Sequence, residues 1–286
     1  MTRKTATACA LAGIALAVGA TRLAAQRPFG GGFFGGGSYG DPDPKITNPD
    51  YNGQFTFARI KYTSGVGPGF GVGGYYYRNI PAWAHGYVPD PRRGSGRAEV
   101  NLMKIMDDVT YLDARVEDSV VYGFDDPGLF KYPVAYMTEP GFWTMNEKEA
   151  AGLRAYLLKG GFLIVDDFRH DGDRNQGAGW DNFEANVKRA FPDEKFFTLN
   201  PSLAIYDSFF RVQSFDIIPQ AYDRNPPEFY GLFEGNDPKK RLMMIVNYST
   251  DISDFWEFSS TGFMPIEESN EAYKLGVNYI MYGLTH

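Results

Sequence analysis

Phe162-Leu163-Ile164-Val165 is an uninterrupted apolar run, opened by Gly160-Gly161 and closed by Asp166-Asp167. Four apolar residues in succession leave no face of a strand for water, so the run belongs inside a parallel sheet that is covered on both sides. The residues before it agree. Ala150, Leu153 and Leu157 fall on one helical stripe, and Thr144 with Glu147 has the spacing of a capping box at its start. Gly160-Gly161 then supplies the left-handed turn that ends the helix. A helix returning into a buried strand is one step of an alternating α/β chain, and the other segments repeat it.

Phe55 to Tyr62 reads as a first strand, and Ser95 as the cap of a helix from about Gly96 to Asp108 with Ala98, Leu102, Ile105 and Val109 along one stripe. Val120-Val121-Tyr122 and Val134-Ala135-Tyr136-Met137 are short strands. Asp181 and Glu184 open a helix through Val187 and Ala190 that Pro192 closes. Phe196-Phe197-Thr198-Leu199 and Leu242-Met243-Met244-Ile245-Val246 add strands. A last helix, from about Asn270 to Leu284, turns Ala272, Leu275, Tyr279 and Ile280 inward. Strands alternating with helices of this length predict a three-layer α/β/α sandwich around a mostly parallel sheet.

The first 25 residues read as an address. Arg3 and Lys4 precede an uncharged run of small apolar residues from Thr5 to Thr21, and Leu23-Ala24-Ala25 offers a cleavage site before Gln26. The run is short and weak for a membrane span, which needs about 20 apolar residues. The expectation is an exported, periplasmic or extracellular protein with no transmembrane segment after cleavage. Residues 26–53, rich in Gly, Pro and Asp, read as a flexible tether, and residues 54–286 as a single domain. The one cysteine, Cys9, lies in the leader, so the mature chain carries no thiol nucleophile and no disulfide. The formal charge of −7 becomes more negative once Arg3, Lys4 and Arg22 are removed. An acidic surface does not displace the counterions of a nucleic acid, which excludes that class of partner.

Candidate chemistry gathers after the strands, where parallel sheets form their ligand crevice. Asp166-Asp167-Phe168-Arg169-His170-Asp171-Gly172-Asp173-Arg174-Asn175 follows the strongest strand. Asp171, Asp173 and Asn175 repeat the opening of a calcium loop, but Gln176 stands where the turn needs glycine and Asn182 where the bidentate glutamate belongs. A divalent ion such as calcium is the only cofactor the sequence suggests. Asp167 and His170 are candidate general bases, His170 because histidine titrates near neutrality. The bland reading has Asp166 and Asp167 capping backbone N–H groups and pairing with Arg169 or Arg174 at a sheet edge. Of the other histidines, His286 ends the chain and His85 reads as solvated or structural in an aromatic loop. Asp251, Asp254, Trp256 and Glu257 follow a second apolar strand and suit either a sugar or a packed lid. Gly69-Phe70-Gly71-Val72-Gly73-Gly74 matches a dinucleotide loop in letters only. Tyr75-Tyr76-Tyr77 follows it where a helix would have to start, so the Gly65–Asp90 stretch reads as a surface loop.

Four ordered stretches stand out: Phe55-Thr56-Phe57-Ala58-Arg59-Ile60-Lys61-Tyr62, Leu153-Arg154-Ala155-Tyr156-Leu157 running into Gly160-Gly161-Phe162-Leu163 and Asp166-Asp167-Phe168, Asn247-Tyr248-Ser249-Thr250-Asp251 with Trp256-Glu257, and Ala272-Tyr273-Lys274-Leu275-Gly276-Val277-Asn278-Tyr279. In these the chain resembles the bacterial family of domains of unknown function DUF4159. The resemblance spans about residues 54–286 and implies a flavodoxin-like fold akin to class I glutamine amidotransferases. It implies no function. The amidotransferase cysteine is missing, and Asn200-Pro201-Ser202-Leu203 stands where family members carry Asp-His-Pro. The preferred expectation is a non-catalytic binding or assembly domain that holds an envelope protein or small ligand at Asp166, Asp167, Arg169 and the Asp251–Glu257 segment. The alternative is a hydrolase on a glycan or other envelope substrate. Two or more of Asp166, Asp167, His170, Asp251, Asp254 and Glu257 converging within hydrogen-bond reach in one cleft would favour the enzyme; acids neutralised by Arg59, Arg154 or Arg169, or facing solvent separately, would favour the binding domain.

Overall fold

In the computed structural model, which describes residues 44–64, 76–77, 80–89, 94–167, 179–218 and 225–286, the run at Phe162 lies at the middle of the molecule. Seven strands form one sheet: β1 (Ala58–Ile60), β2 (Val120–Tyr122), β3 (Val134–Thr138), β4 (Phe162–Asp166), β5 (Phe196–Thr198), β6 (Glu228–Phe233) and β7 (Leu242–Tyr248). Their order is β2-β1-β3-β4-β7-β6-β5, which puts β4 at the centre. The first five run parallel, while β6 pairs antiparallel with both β7 and β5. Apart from this antiparallel excursion the order is the flavodoxin-like one, with a switch point between β1 and β3.

Alternation along β4 divides the core. Leu163 and Val165 pack on one face with Leu153 and Leu157 of α2 (Glu147–Leu158) and with Phe183 and Val187 of α3 (Gly179–Ala190). Phe162 and Ile164 pack on the other with Leu102 and Met106 of α1 (Ala98–Val109), Phe255 of α4 (Ile252–Glu257), and Leu275 and Tyr279 of α5 (Ile266–Thr285). Every residue of β4 and β7 is buried, as strands covered on both faces must be. The protein is an α/β sandwich of three layers.

Local chemistry moves several boundaries. The cap of α2 is Asn146 rather than Thr144: its side chain accepts from Lys148 and Glu149 N–H, and Glu149 returns a bond to the Asn146 N–H. The box is real but starts two residues later, because Thr144 is taken up in bonding Thr63 O. Helix α1 starts at Ala98, with Arg97 rather than Ser95 at the cap position and no side-chain cap bond there; the Ala98 N–H goes to Gly86 O at 2.9 Å. Gly160 has φ 108°, the positive backbone angle expected at the end of α2. Strand β6 went unread in the sequence. Residues 44–53, placed in the tether from composition, run beside the sheet edge, where Asn48 exchanges two hydrogen bonds with Val121 of β2. Residues 1–43, read as a leader and the first part of a tether, most of the Gly65–Asp90 stretch, and residues 168–178 lie outside the described residues. Among the described residues no helix is long and apolar enough to cross a membrane.

Candidate functional site

Three adjacent parallel strands end in the same unusual way. Glu139 after β3, Asp167 after β4 and Ser249 after β7 all have left-handed backbone, with φ of 49°, 62° and 57°. Each costs an L-residue of this kind about 1–2 kcal/mol, and such strain tends to collect at functional sites. The turns aim Glu139 and Asp167 into one place beside the switch point. Tyr62 holds the first by donating to the carbonyls of Thr138 and Glu139 at 2.9 and 2.7 Å.

His85 enters this place from the β1–α1 connection. The turn before it, Ala82–Ala84, is wholly buried, and Arg59 of β1 fixes its path by donating to Trp83 O at 3.2 Å and His85 O at 2.7 Å. Arg59 is itself buried against Glu99 of α1, at 3.1 Å, with Tyr136 under its guanidinium. One buried arginine thus ties a sheet strand, a helix and the histidine loop together.

Around His85 the geometry is specific. Nδ1 lies 2.6 Å from Asp167 Oδ2 and 3.8 Å from Glu139 Oε1, while Nε2 lies 3.7 Å from Asp254 Oδ1. Thr138 adds a bond to the same Asp167 oxygen at 3.2 Å. Asp254 and Glu257 sit three residues apart on α4, so both face the same way, and Glu257 Oε2 approaches Gly86. His85, Glu139, Asp167, Asp254 and Glu257 are all buried. Burial alone would lower the His85 pKa, but Asp167, then Asp254 and Asp251, outweigh it and raise it well above the usual value.

Asp166 does a different job. Its Oδ1 accepts from Asn247 at 3.0 Å and Ile252 N–H at 3.3 Å, and its Oδ2 from Tyr136 at 2.9 Å and Ser253 N–H at 3.1 Å. Two of these donors are the first amides of α4, so Asp166 anchors that helix at the end of β4. Asp251 caps the same helix through Asp254 N–H at 3.0 Å. Burial, and after it the neighbouring Asp251, push Asp166 up to about 8 although Asn247 and Tyr136 pull it down. The capping expected of Asp166 is therefore present, but at the centre of the sheet and not at an edge.

The structure brings Asp166, Asp167, Asp251, Asp254 and Glu257 together. Trp256 is buried, with its indole N–H donated to Ala272 O, which is the packed alternative of the sequence reading. Arg154 bonds Ala190 O, away from these acids, and Arg59 pairs with Glu99. Arg169, His170, Asp171, Asp173 and Asn175 lie outside the described residues. Sequence reasoning overlooked His85 and Glu139 as members of the site. Glu139 follows an apolar strand just as Asp166-Asp167 does, and that signal was available; nothing local marks His85.

A mostly parallel sheet between helical layers, with its acids and a histidine gathered at the strand C-termini, defines a doubly wound α/β protein with a site at the sheet's carboxyl edge. The chain belongs to the DUF4159 family: the family's model, described as a domain of unknown function, matches residues 87–284. The match starts just after His85. Comparison with curated proteins finds no match.

Proposed function

We propose that this chain is an exported envelope protein that works as a hydrolase on a polar substrate, a glycan being the class best suited to a site so rich in carboxylates. The observation that carries this reading is the convergence on His85 of Asp167 at one ring nitrogen and Asp254 at the other. A carboxylate bonded to Nδ1 orients an imidazole and stabilises its charged form, leaving Nε2 to give or take a proton. Glu139, from the turn after β3, and Glu257, one helical turn past Asp254 on α4, complete the set. Support for export comes from the leader-like residues 1–25 alone; an exported domain has envelope polymers around it and no free nucleotide cofactors.

A second reading, a non-catalytic binding domain, is favoured by one observation: His85, Asp167, Asp254 and Glu257 are each under a tenth exposed. Turnover separates the two. The purified chain is offered chromogenic glycosides, acetyl esters and phosphate esters, together with isolated envelope polysaccharide. Wild type releases product, His85→Asn slows release by about 10²–10⁴-fold, the usual share of a general acid–base group, and Asp167→Asn shifts the pH–rate profile. Equal rates in wild type and His85→Asn would refute the hydrolase. Tight polysaccharide binding without turnover would establish the holding role instead.

A further inference from the structure

His85 divides the cluster into two half-sites, one at each ring nitrogen. On the Nδ1 side, Asp167 is at hydrogen-bonding distance, 2.6 Å, and Thr138 fixes the same carboxylate oxygen. On the Nε2 side the spacing is different. Asp254 Oδ1 stands 3.7 Å away, beyond a hydrogen bond. One ligand atom each from His85, Asp254 and Glu257 lies within 4.8 Å of the others. Donor atoms each ~2.0–2.2 Å from one ion stand roughly 3–4.4 Å apart, so 3.7 Å is a ligand–ligand spacing. Asp254 and Glu257 are one helical turn apart on α4, whose start is held by Asp166 and Asp251, so the pair is rigidly presented.

We infer that the Nε2 face of His85, with Asp254 and Glu257, is a binding site for one divalent transition-metal ion. Asp167 is then the outer partner of the ligating histidine: it accepts the hydrogen bond from Nδ1–H, so that Nε2, on giving up its own proton, turns its lone pair to the ion, the usual arrangement for a metal-bound imidazole. One nitrogen and two carboxylate oxygens suit zinc, manganese or iron better than calcium or magnesium, which prefer oxygen alone. The three ligands found among the described residues leave further positions on the ion, as catalytic sites do for water or substrate. Gly86 helps to shape the place. Its φ is 69°, and a Cβ there would stand 3.7 Å from Glu257 Oε2 and 3.3 Å from the Ala98 side chain. The Glu139 side competes less well, because an ion there would have to break the 2.6 Å bond between His85 and Asp167. The inference rests on the reading of this cluster as the working site, and it adds the cofactor class and the residues that take it.

The test is equilibrium dialysis of the purified, chelator-stripped full chain against zinc, manganese, cobalt or magnesium chloride, with bound metal counted by elemental analysis. Wild type retains one transition-metal ion per chain and takes up magnesium poorly. Asp254→Asn and Glu257→Gln each weaken binding by at least tenfold, and Asp167→Asn weakens it by about 10–100-fold, the range for outer partners of metal ligands. Glu139→Gln leaves binding unchanged. Circular dichroism and urea midpoints confirm that each variant is folded before it is scored. A wild type that holds no ion overturns the inference, as does loss of the ion in Glu139→Gln with retention in Asp254→Asn. Turnover that depends on His85 yet survives chelation would sink the metal while leaving the hydrolase reading intact.

Discussion

Asp166→Asn is predicted to flatten the pH dependence of stability, so that the variant starts below wild type and overtakes it as pH rises. Four donors meet the two oxygens of Asp166. An amide keeps one of those oxygens and turns an NH₂ group on the donors at the other. The Tyr136 hydroxyl can rotate to accept, but the Ser253 N–H is stranded, at a cost of about 1–3 kcal/mol. Against this stands the carboxylate's own titration. Burial and Asp251 raise its folded pKa to about 8, far above an aspartate in the unfolded chain. Between those values the native state keeps a proton that the unfolded state has released, so stability falls as pH rises, by about 1.4 kcal/mol per pH unit for one such group. Asn cannot titrate. Starting about 1–3 kcal/mol below wild type near pH 4, the variant overtakes it before about pH 7 on that slope. His85 tilts both proteins alike: its raised pKa contributes stability that is full below the unfolded value and lost as pH climbs through the folded one. The assay is urea unfolding in EDTA at four pH values from 5 to 8, with m-values compared for two-state behaviour. Parallel curves, with the variant below wild type throughout, would refute a raised Asp166 and show that its four donors keep it ionised.

Three further outcomes follow from packing and caps. Arg59→Met leaves Glu99 buried without its guanidinium, and urea unfolding should register a loss of about 3–5 kcal/mol. Gly152→Ala sits inside α2, where helix propensity alone favours alanine by about 1 kcal/mol. Its Cβ would meet Phe124 O at 1.9 Å, so we expect destabilisation of about 2 kcal/mol or more, read from the same midpoints. Asn146→Ala removes the cap of α2 at a cost of about 1 kcal/mol, whereas Thr144→Ala spares the capping box; the pair of melting temperatures distinguishes the two positions.

What could be read from the sequence follows from what is local. The β4 run, the stripe of α2 and the glycine after it are consecutive or one turn apart, and each kept its identity in the structure. Thr144 misled because Asn146 also satisfies the spacing, and only the tertiary bond from Thr144 to Thr63 decides between them. Strand β6 was missed because Glu228-Phe229-Tyr230-Gly231-Leu232-Phe233 mixes an acid, a glycine and aromatics. Its sheet position is set by partners on both sides rather than by its own pattern. Asp166, Asp167, Asp251, Asp254 and Glu257 were visible because they follow apolar strands; Glu139 follows one too and was passed over because it stands alone. His85 was not visible, since its role depends on Asp167, 82 residues away, and on Arg59 gripping its carbonyl.

That distance has a consequence for when the molecule can act. His85 comes from the connection after β1, Glu139 from the end of β3, Asp167 from the end of β4, and Asp254 and Glu257 from the helix after β7. No contiguous fragment short of most of the chain contains the set, and the contact from Asp166 to Ser253 closes a loop of 87 residues. Such long closures are made late, when the intervening strands are already in register. A chain still emerging from the ribosome, or threaded unfolded through a pore, therefore carries every one of these residues and none of their chemistry. The five side chains meet only when the strands and α4 have come together, so the cluster exists only in the completed fold.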